Sequence, residues 1–237
     1  TADWYQLRMA IARNDPAGHL TSIHNCQEFF DYSRSWITHA SIQRNDVYKT
    51  SEMTTEWRQL WRKPVVVDEC GYEGNIDQGW GNIDGEEMVR RIWEGVVRGG
   101  YVGHGETFAH ADEILWWSKG GVLHGSSPER ISFLKAILDE GPDFLEPLPL
   151  EWDVPRAGRE GEFYLYYFGV SQPTYRQFLV DPSSRYHVDL IDTWEMTIST
   201  LDGTYSGRFR IPMPGKRYMA VRLRAERGVE TLPVSVP

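Results

Sequence analysis

An α/β domain followed by an antiparallel β-sandwich is the fold class this sequence predicts, and three observations predict it. The stretch Lys63-Pro64-Val65-Val66-Val67-Asp68-Glu69 sets three β-branched residues in a row after a proline, the pattern of a short strand buried on both faces. Strand-like and helix-like stretches alternate up to about residue 146, as they do in βα units. Beyond Pro147-Leu148-Pro149-Leu150 the helical spacing stops and short alternating runs take over. The expected division is therefore an α/β unit over residues 1–146 and a β-sandwich over 147–237.

The elements follow from local pattern. Residues 2–14 carry Trp4, Leu7, Ile11 and Ala12 near helical spacing and stop at Asn14-Asp15-Pro16. Residues 19–25 and 36–43 read as short strands with polar tips, and 28–33 as a loop or helical turn. The stretch 47–62, with Met53, Trp57, Leu60 and Trp61, reads as a helix that delivers the chain to the Val65 strand. A glycine-rich loop holding Trp80 spans 71–85. Residues 86–98 make a helix that is acidic at its start and basic at its end, with Met88, Val89, Ile92, Trp93, Val96 and Val97 as its buried face. Gly99-Gly100 ends it. A strand over 101–107, a loop with Trp116 and Trp117, and a helix opening at Ser127-Pro128-Glu129 and running to about residue 140 complete this part. The order, a helix and then strand–helix units, fits half of an α/β barrel or part of a doubly wound sheet. In the second part, runs at 162–170, 174–180, 186–192, 195–199, 205–211 and 217–224 are separated by turn signals such as Asp181-Pro182, Asp202-Gly203 and Pro214-Gly215.

Composition excludes several classes. The formal charge is -9 with no basic stripe, which argues against nucleic acid or an anionic membrane as partner. No run approaches the roughly 18 apolar residues of a membrane span. Thr1-Ala2-Asp3-Trp4 shows no basic region followed by an apolar core, which decides little, because a domain is not expected to start there. Cys26 and Cys70 are too few for a disulfide framework and read as free thiols. No phosphate-binding glycine motif and no Gly-x-Ser-x-Gly elbow is present. Ten tryptophans suit either sugar stacking or a large aromatic core.

The chemistry concentrates at the tip of the Val65 strand. A buried carboxylate without a partner costs several kcal/mol, roughly, so a strand ending in Asp68-Glu69 needs a reason for it. In parallel α/β folds that end of the strand is where ligands bind. Alternation of side chains along the strand turns Glu69 toward the ligand and leaves Asp68 to a cap or salt bridge. His24 and His39 with Asp68 could serve zinc, but the spacing is loose, and hydrogen-bonded histidines are the simpler reading. His104, between two glycines, is either near the site or a backbone-bonded strand histidine. Trp80, Trp116 and Trp117 are candidate stacking platforms, with core packing as the alternative.

Lys-Pro-Val-Val-Val-Asp-Glu followed by Gly-Tyr-Glu-Gly resembles the seventh strand of retaining glycoside hydrolase barrels with glutamates on strands four and seven. The sequel resembles bacterial proteins of the DUF4038 and DUF5605 type, assigned to glycoside hydrolysis. It comprises a helix, a Gly-Gly strand ending His104-Gly105-Glu106-Thr107, a Trp-rich loop, a last helix and a small β-domain. The resemblance implies the C-terminal half of a (β/α)8 TIM barrel, strands five to eight, followed by the β-sandwich. It implies Glu69 as nucleophile, with His24 and Asn25 on strand five, Gln43 on strand six and Glu106 on strand eight facing the sugar. Glu73, Trp80, His104 and Trp117 join them as sugar-binding candidates. No cofactor and no metal is implied. The partners implied are a carbohydrate substrate and a cover for the open half-barrel, either the missing N-terminal half or a second copy of the chain. Secretion to the bacterial envelope is implied by the resemblance alone. The departure is that strands one to four, and with them the family's acid/base, are absent. Glu73 and Glu106 are the in-chain alternatives for that role. Two rivals remain: a non-catalytic carbohydrate-binding or structural fragment, and a metal-dependent barrel hydrolase.

Overall fold

The structure is a computed structural model and describes residues 2–25, 27–44, 46, 48–112, 121–143, 145–152 and 154–226. Helix α1 spans Ala2–Asn14. Strand β1, Ala40–Gln43, is followed by helix α2, Thr54–Trp61, and strand β2, Val65–Glu69. Two-residue strand β3 is Glu73–Gly74; helix α3 is Gly85–Val97; strands β4 and β5 are Tyr101–Val102 and Glu106–Thr107; helix α4 is Ser127–Asp139.

β1, β2 and β4 form a three-stranded parallel sheet in chain order, and His24 adds a parallel bridge to Ser41 on its β1 side. Val65, Val67, Ala40 and Ile42 are fully buried, as the apolar run predicts. Asp84 caps α3 by accepting from the Glu87 amide at 2.8 Å, and Met88, Val89, Ile92, Trp93 and Val97 form its buried face. The strand expected over 19–25 shrinks to the His24 bridge, and the one over 36–43 keeps its last four residues. The strand expected over 101–107 divides: its first two residues pair with β2, its last two with β3. The break falls at Gly103, whose amide still donates to Val67 O at 2.8 Å and whose lack of a Cβ, which would lie 2.6 Å from the Asp68 carbonyl oxygen, lets the chain pass close over β2 on its way to β3.

The rest of the chain is antiparallel. Strands β6 Glu146–Glu151, β7 Val154–Arg159, β8 Phe163–Tyr167, β10 Tyr186–Asp192, β11 Thr197–Thr200 and β13 Met219–Ala225 form a six-stranded sheet in the order β11-β10-β13-β8-β7-β6. β9 Tyr175–Leu179 pairs with β12 Arg208–Pro212 in a separate ribbon. The molecule is thus mixed α/β with mostly antiparallel sheet. Pro147 and Pro149, read from sequence as a boundary, lie within edge strand β6, the position where a missing N–H is tolerated.

β8 shows what joins the two parts. All five of its residues are buried, and they alternate between two cores. Phe163, Leu165 and Tyr167 pack with α3 and α4, while Tyr164 and Tyr166 pack with Phe178 and Ile211 of the β9–β12 ribbon. Trp93 of α3 stacks on Tyr167 with ring centroids 5.2 Å apart. Within this sheet, between β10 and β13, Asp189 is fully buried and accepts from Arg222 Nε at 2.8 Å and Arg224 Nε at 2.9 Å. Arg222 reaches on to Glu140, just past α4.

Candidate active site

At the C-terminal tips of β1 and β2 the structure gathers His24, Ser41, Gln43, Asp68, Glu69 and Tyr72. Both oxygens of Glu69 are held: His24 Nε2 lies 3.0 Å from Oε1, and Gln43 Nε2 donates to Oε2 at 3.1 Å. Tyr72 brings its phenol to the same carboxylate and hydrogen-bonds with it. Burial first, and then that bond, push its phenol well above the usual tyrosine range. The other edge of the imidazole faces Asp68 and Ser41, with Nδ1 3.3 Å from Asp68 Oδ2 and 3.2 Å from Ser41 Oγ. Ser41 in turn donates to Asp68. His24 is therefore wedged between two carboxylates, one at each ring nitrogen.

Alternation predicted that Asp68 would turn away from Glu69. It does not, because the register slips at this point: Ile42 faces Val67, but Gln43 faces Glu69. Asp68 is the extra residue of a bulge, and a bulge re-aims a side chain at a strand end. The sequence carries no mark of it. Ser41 and Tyr72 were likewise missed, since a serine in a strand and a tyrosine in a loop are common in any fold.

Asn25 does not fit its expected sugar-facing role. It is fully buried, and its carboxamide is taken up at both ends by the Gln43 backbone, accepting from N at 2.8 Å and donating to O at 3.0 Å. It fixes the tip on which Gln43 sits. Trp80 is half-buried, packs edge-on against Tyr72 at 5.7 Å, and gives its carbonyl to the Tyr72 amide. Trp117 lies outside the described residues, as do Trp116 and Cys26. Cys70 is free and buried, and burial pushes its thiol up to about 11.

Glu73, His104 and Glu106 form a second cluster. Glu73 is 4% exposed and accepts four hydrogen bonds at the start of α4: from Ser126 N at 2.7 Å, Ser126 Oγ at 3.0 Å, Ser127 N at 3.1 Å and Ser127 Oγ at 2.5 Å. Burial pushes this carboxyl up, but the Ser127 and Ser126 donors more than reverse that and hold it below the usual range. Glu106 is fully buried, and its Oε2 accepts from the amides of His124 and Gly125 at 2.7 and 3.0 Å. Among the described residues its Oε1 has no hydrogen-bond partner; it lies 3.7 Å from His104 Nε2, which itself contacts Ser127 Oγ at 3.1 Å. Burial pushes the His104 imidazole down, against the pull of Glu106 and Glu73. Neither glutamate reaches a surface that a sugar could touch, so their expected sugar-binding role does not fit their placement. Among the described residues this trio is the one group of His, Cys, Asp and Glu with metal-like spacing, its ligand atoms within 4.8 Å of one another. Glu73 has spent its lone pairs on the two serines, which leaves two ligands where an open zinc site takes three. The cluster reads as a helix cap. The His24, His39 and Asp68 set is not assembled either: His39 contacts Thr38 Oγ1 at 3.0 Å and joins no metal-like group among the described residues.

Comparison with known proteins agrees with the fold. Residues 152–224 match the family DUF5605, a domain of unknown function. No curated protein matches the chain. Among solved structures, a "putative glycoside hydrolase" from Bacteroides vulgatus is similar at 30% identity and a TM-score of 0.84, over 95% of this chain and 48% of that one. A glycoside hydrolase of family 5 from the same organism aligns at 17% identity and a TM-score of 0.68, over 93% of this chain and 58% of that one. A further glycoside hydrolase aligns at 15% identity and a TM-score of 0.66, over 94% and 61%. The fold is glycoside hydrolase-like, and the chain spans only about half the length of the first of these structures.

Proposed function

We propose that this chain is the C-terminal part of a retaining glycoside hydrolase, with Glu69 as its nucleophile. The observation that carries the reading is the grip on Glu69. Its two oxygens are held separately by His24 and Gln43 at the C-terminal end of a parallel strand, as an in-line attacking carboxylate requires. In this reading β1, β2 and β4, with the His24 bridge beside β1, are strands six, seven, eight and five of a (β/α)8 barrel, and the antiparallel strands form the appended sandwich. The chain order of the parallel strands supports it. Exposed Tyr5, Leu7 and Ile11 on α1 and Tyr101 on β4 support an upstream half-barrel, or a second copy, covering the open sides. The match to 48% of the Bacteroides structure supports a further half in the same polypeptide over a second copy.

Retention needs a second carboxyl group about 5–5.5 Å from the nucleophile, first as acid and then as base. Glu73 is a poor donor because its four hydrogen bonds favour the ionised form, and Glu106 is sealed beneath the 124–125 backbone. The acid/base in this proposal is therefore contributed from outside the 237 residues. Asp68 and Ser41 fix the ring of His24, and Tyr72 and Gln43 complete the cradle, so that the nucleophile is oriented before substrate arrives.

The test is hydrolysis of an aryl-glycoside panel by this chain and by a polypeptide extended upstream, each with Glu69→Gln. Activity confined to the longer polypeptide, and reduced at least about a thousandfold by the substitution, is expected. Activity of the 237-residue chain itself would return Glu73 or Glu106 to the role of acid. An active Glu69→Gln enzyme would remove Glu69 from the mechanism. A non-catalytic carbohydrate-binding unit would show no hydrolysis in either polypeptide.

A further inference from the structure

The antiparallel part of the molecule carries a second groove, formed where the tip of the β6–β7 hairpin approaches the edge of β9. It has a volume of about 1090 Å³ and is lined by Trp152, Tyr175, Arg156, Arg176, Arg208 and Glu151 among others. Trp152 stands at the hairpin turn, 87% exposed, with φ at +62°. A bulky L-residue in that region is strained by about 1 kcal/mol or more, and glycine or asparagine is the usual occupant. Its indole gains no compensating burial. Tyr175 is 53% exposed, and the Arg210 guanidinium lies 3.6 Å from its ring centroid.

The charge here is opposite to that of the chain, which carries -9 overall. Among the described residues lining the groove, three arginines face one carboxylate, Glu151. Glu151 is already shared between Arg156 at 3.5 Å and Arg176 at 3.6 Å. Among the described residues Arg176 Nε is buried without a hydrogen-bond partner, while its Nη2 donates to the Glu151 carbonyl at 3.2 Å. Arg208 and Arg210 take part in no ion pair among the described residues and stand on one face of β12, two residues apart.

We propose that this groove binds an acidic glycan, with Trp152 and Tyr175 as stacking platforms and Arg208, Arg210 and Arg176 pairing its carboxylate or sulfate groups. An exposed indole and a half-exposed phenol match the apolar faces of sugar rings, whereas a peptide anchor calls for an enclosed pocket. The Arg210 guanidinium, over one face of the Tyr175 ring, and those of Arg208 and Arg176 supply planar, two-pronged donors for anionic oxygens. The inference stands apart from the Glu69 reading, because it uses none of the same residues and is read by binding.

Affinity electrophoresis and calorimetry of the 237-residue chain with polygalacturonate, alginate and chondroitin sulfate test it, with methyl-esterified polygalacturonate and polyglutamate as controls. At least one acidic glycan should bind, with affinity falling about tenfold or more in Trp152→Ala and in Arg208→Gln and falling with added salt. The variants alter exposed side chains, so unchanged circular dichroism and melting should accompany the loss. Absence of binding to all three glycans, or binding indifferent to both substitutions, overturns the proposal. Equal binding of the methyl-esterified polymer overturns the role of charge. Equal binding of polyglutamate overturns the glycan assignment in favour of an acidic peptide.

Discussion

At the scale of single residues, neighbouring glutamates of one strand-and-loop segment have opposite circumstances. Glu69 is half-buried and its two oxygens are held by side chains at a strand tip; Glu73, four residues on, is saturated by the first amides and hydroxyls of a helix. Glu73→Gln should therefore act on stability rather than on chemistry, because the amide nitrogen would meet donors where an acceptor is needed. Loss of charge-assisted hydrogen bonds predicts destabilisation of about 1.5–3 kcal/mol at neutral pH. The sign of its pH dependence follows from the lowered folded-state pKa. The carboxylate's contribution is complete above the unfolded value of 4.5 and is lost as pH falls through the lower folded value. Urea titrations of both proteins should show the difference steady down to about that unfolded value and shrinking below it. A difference that persists undiminished in strong acid would mean that the cap does not depend on the ionised form. Sequence gave one half of this arrangement, the helix start at Ser127-Pro128-Glu129. The other half, which carboxylate the amides receive, depends on a loop path that no local pattern encodes.

At the scale of elements, what was legible was what has a period. α1 and β10 coincide with the stretches read from residues alone, and α3 and α4 differ from theirs by a residue or so. Their apolar spacing, caps and turns are local. Strand β6 was hidden because its prolines mimic a linker, and the Asp68 bulge because register is a relation between two strands, which one strand's pattern cannot carry. The crossing of Gly103 over β2 belongs to the same kind. Gly103 N donates to Val67 O at 2.8 Å, and a Cβ would lie 2.6 Å from the Asp68 carbonyl oxygen. Gly103→Ala should force β4 away from β2 just below Asp68 and Glu69, at a cost of about 1–3 kcal/mol by overpacking. In the extended polypeptide it should also lower kcat, although residue 103 belongs to neither side-chain cluster. Stability and kcat both unchanged would show that the strands separate there without disturbing the tip.

At the scale of the molecule, the composition shift near residue 147 suggests two units, while the packing suggests one cooperative body. β8 has no solvent face: Phe163, Leu165 and Tyr167 complete the core around Trp93, and Tyr164 and Tyr166 complete the core around Phe178. Arg222 and Asp189 extend the tie to Glu140 beside α4, and the Arg130 guanidinium lies 3.8 Å from the Trp194 ring centroid. An antiparallel part excised at residue 147 would leave three large apolar side chains of β8 in water, each worth roughly 1.5–3 kcal/mol of burial. The expectation is therefore a single unfolding transition for residues 1–237, coincident by tryptophan fluorescence and far-ultraviolet circular dichroism. Trp93→Ala, which removes the ring stacked on Tyr167, should shift that one transition by about 3–5 kcal/mol without splitting it. Residues 147–237 alone should bind a hydrophobic dye or associate. Two separate transitions in the intact chain, only one of them moved by Trp93→Ala, would show instead that the sheet folds independently and that β8's inner face is an interface between domains.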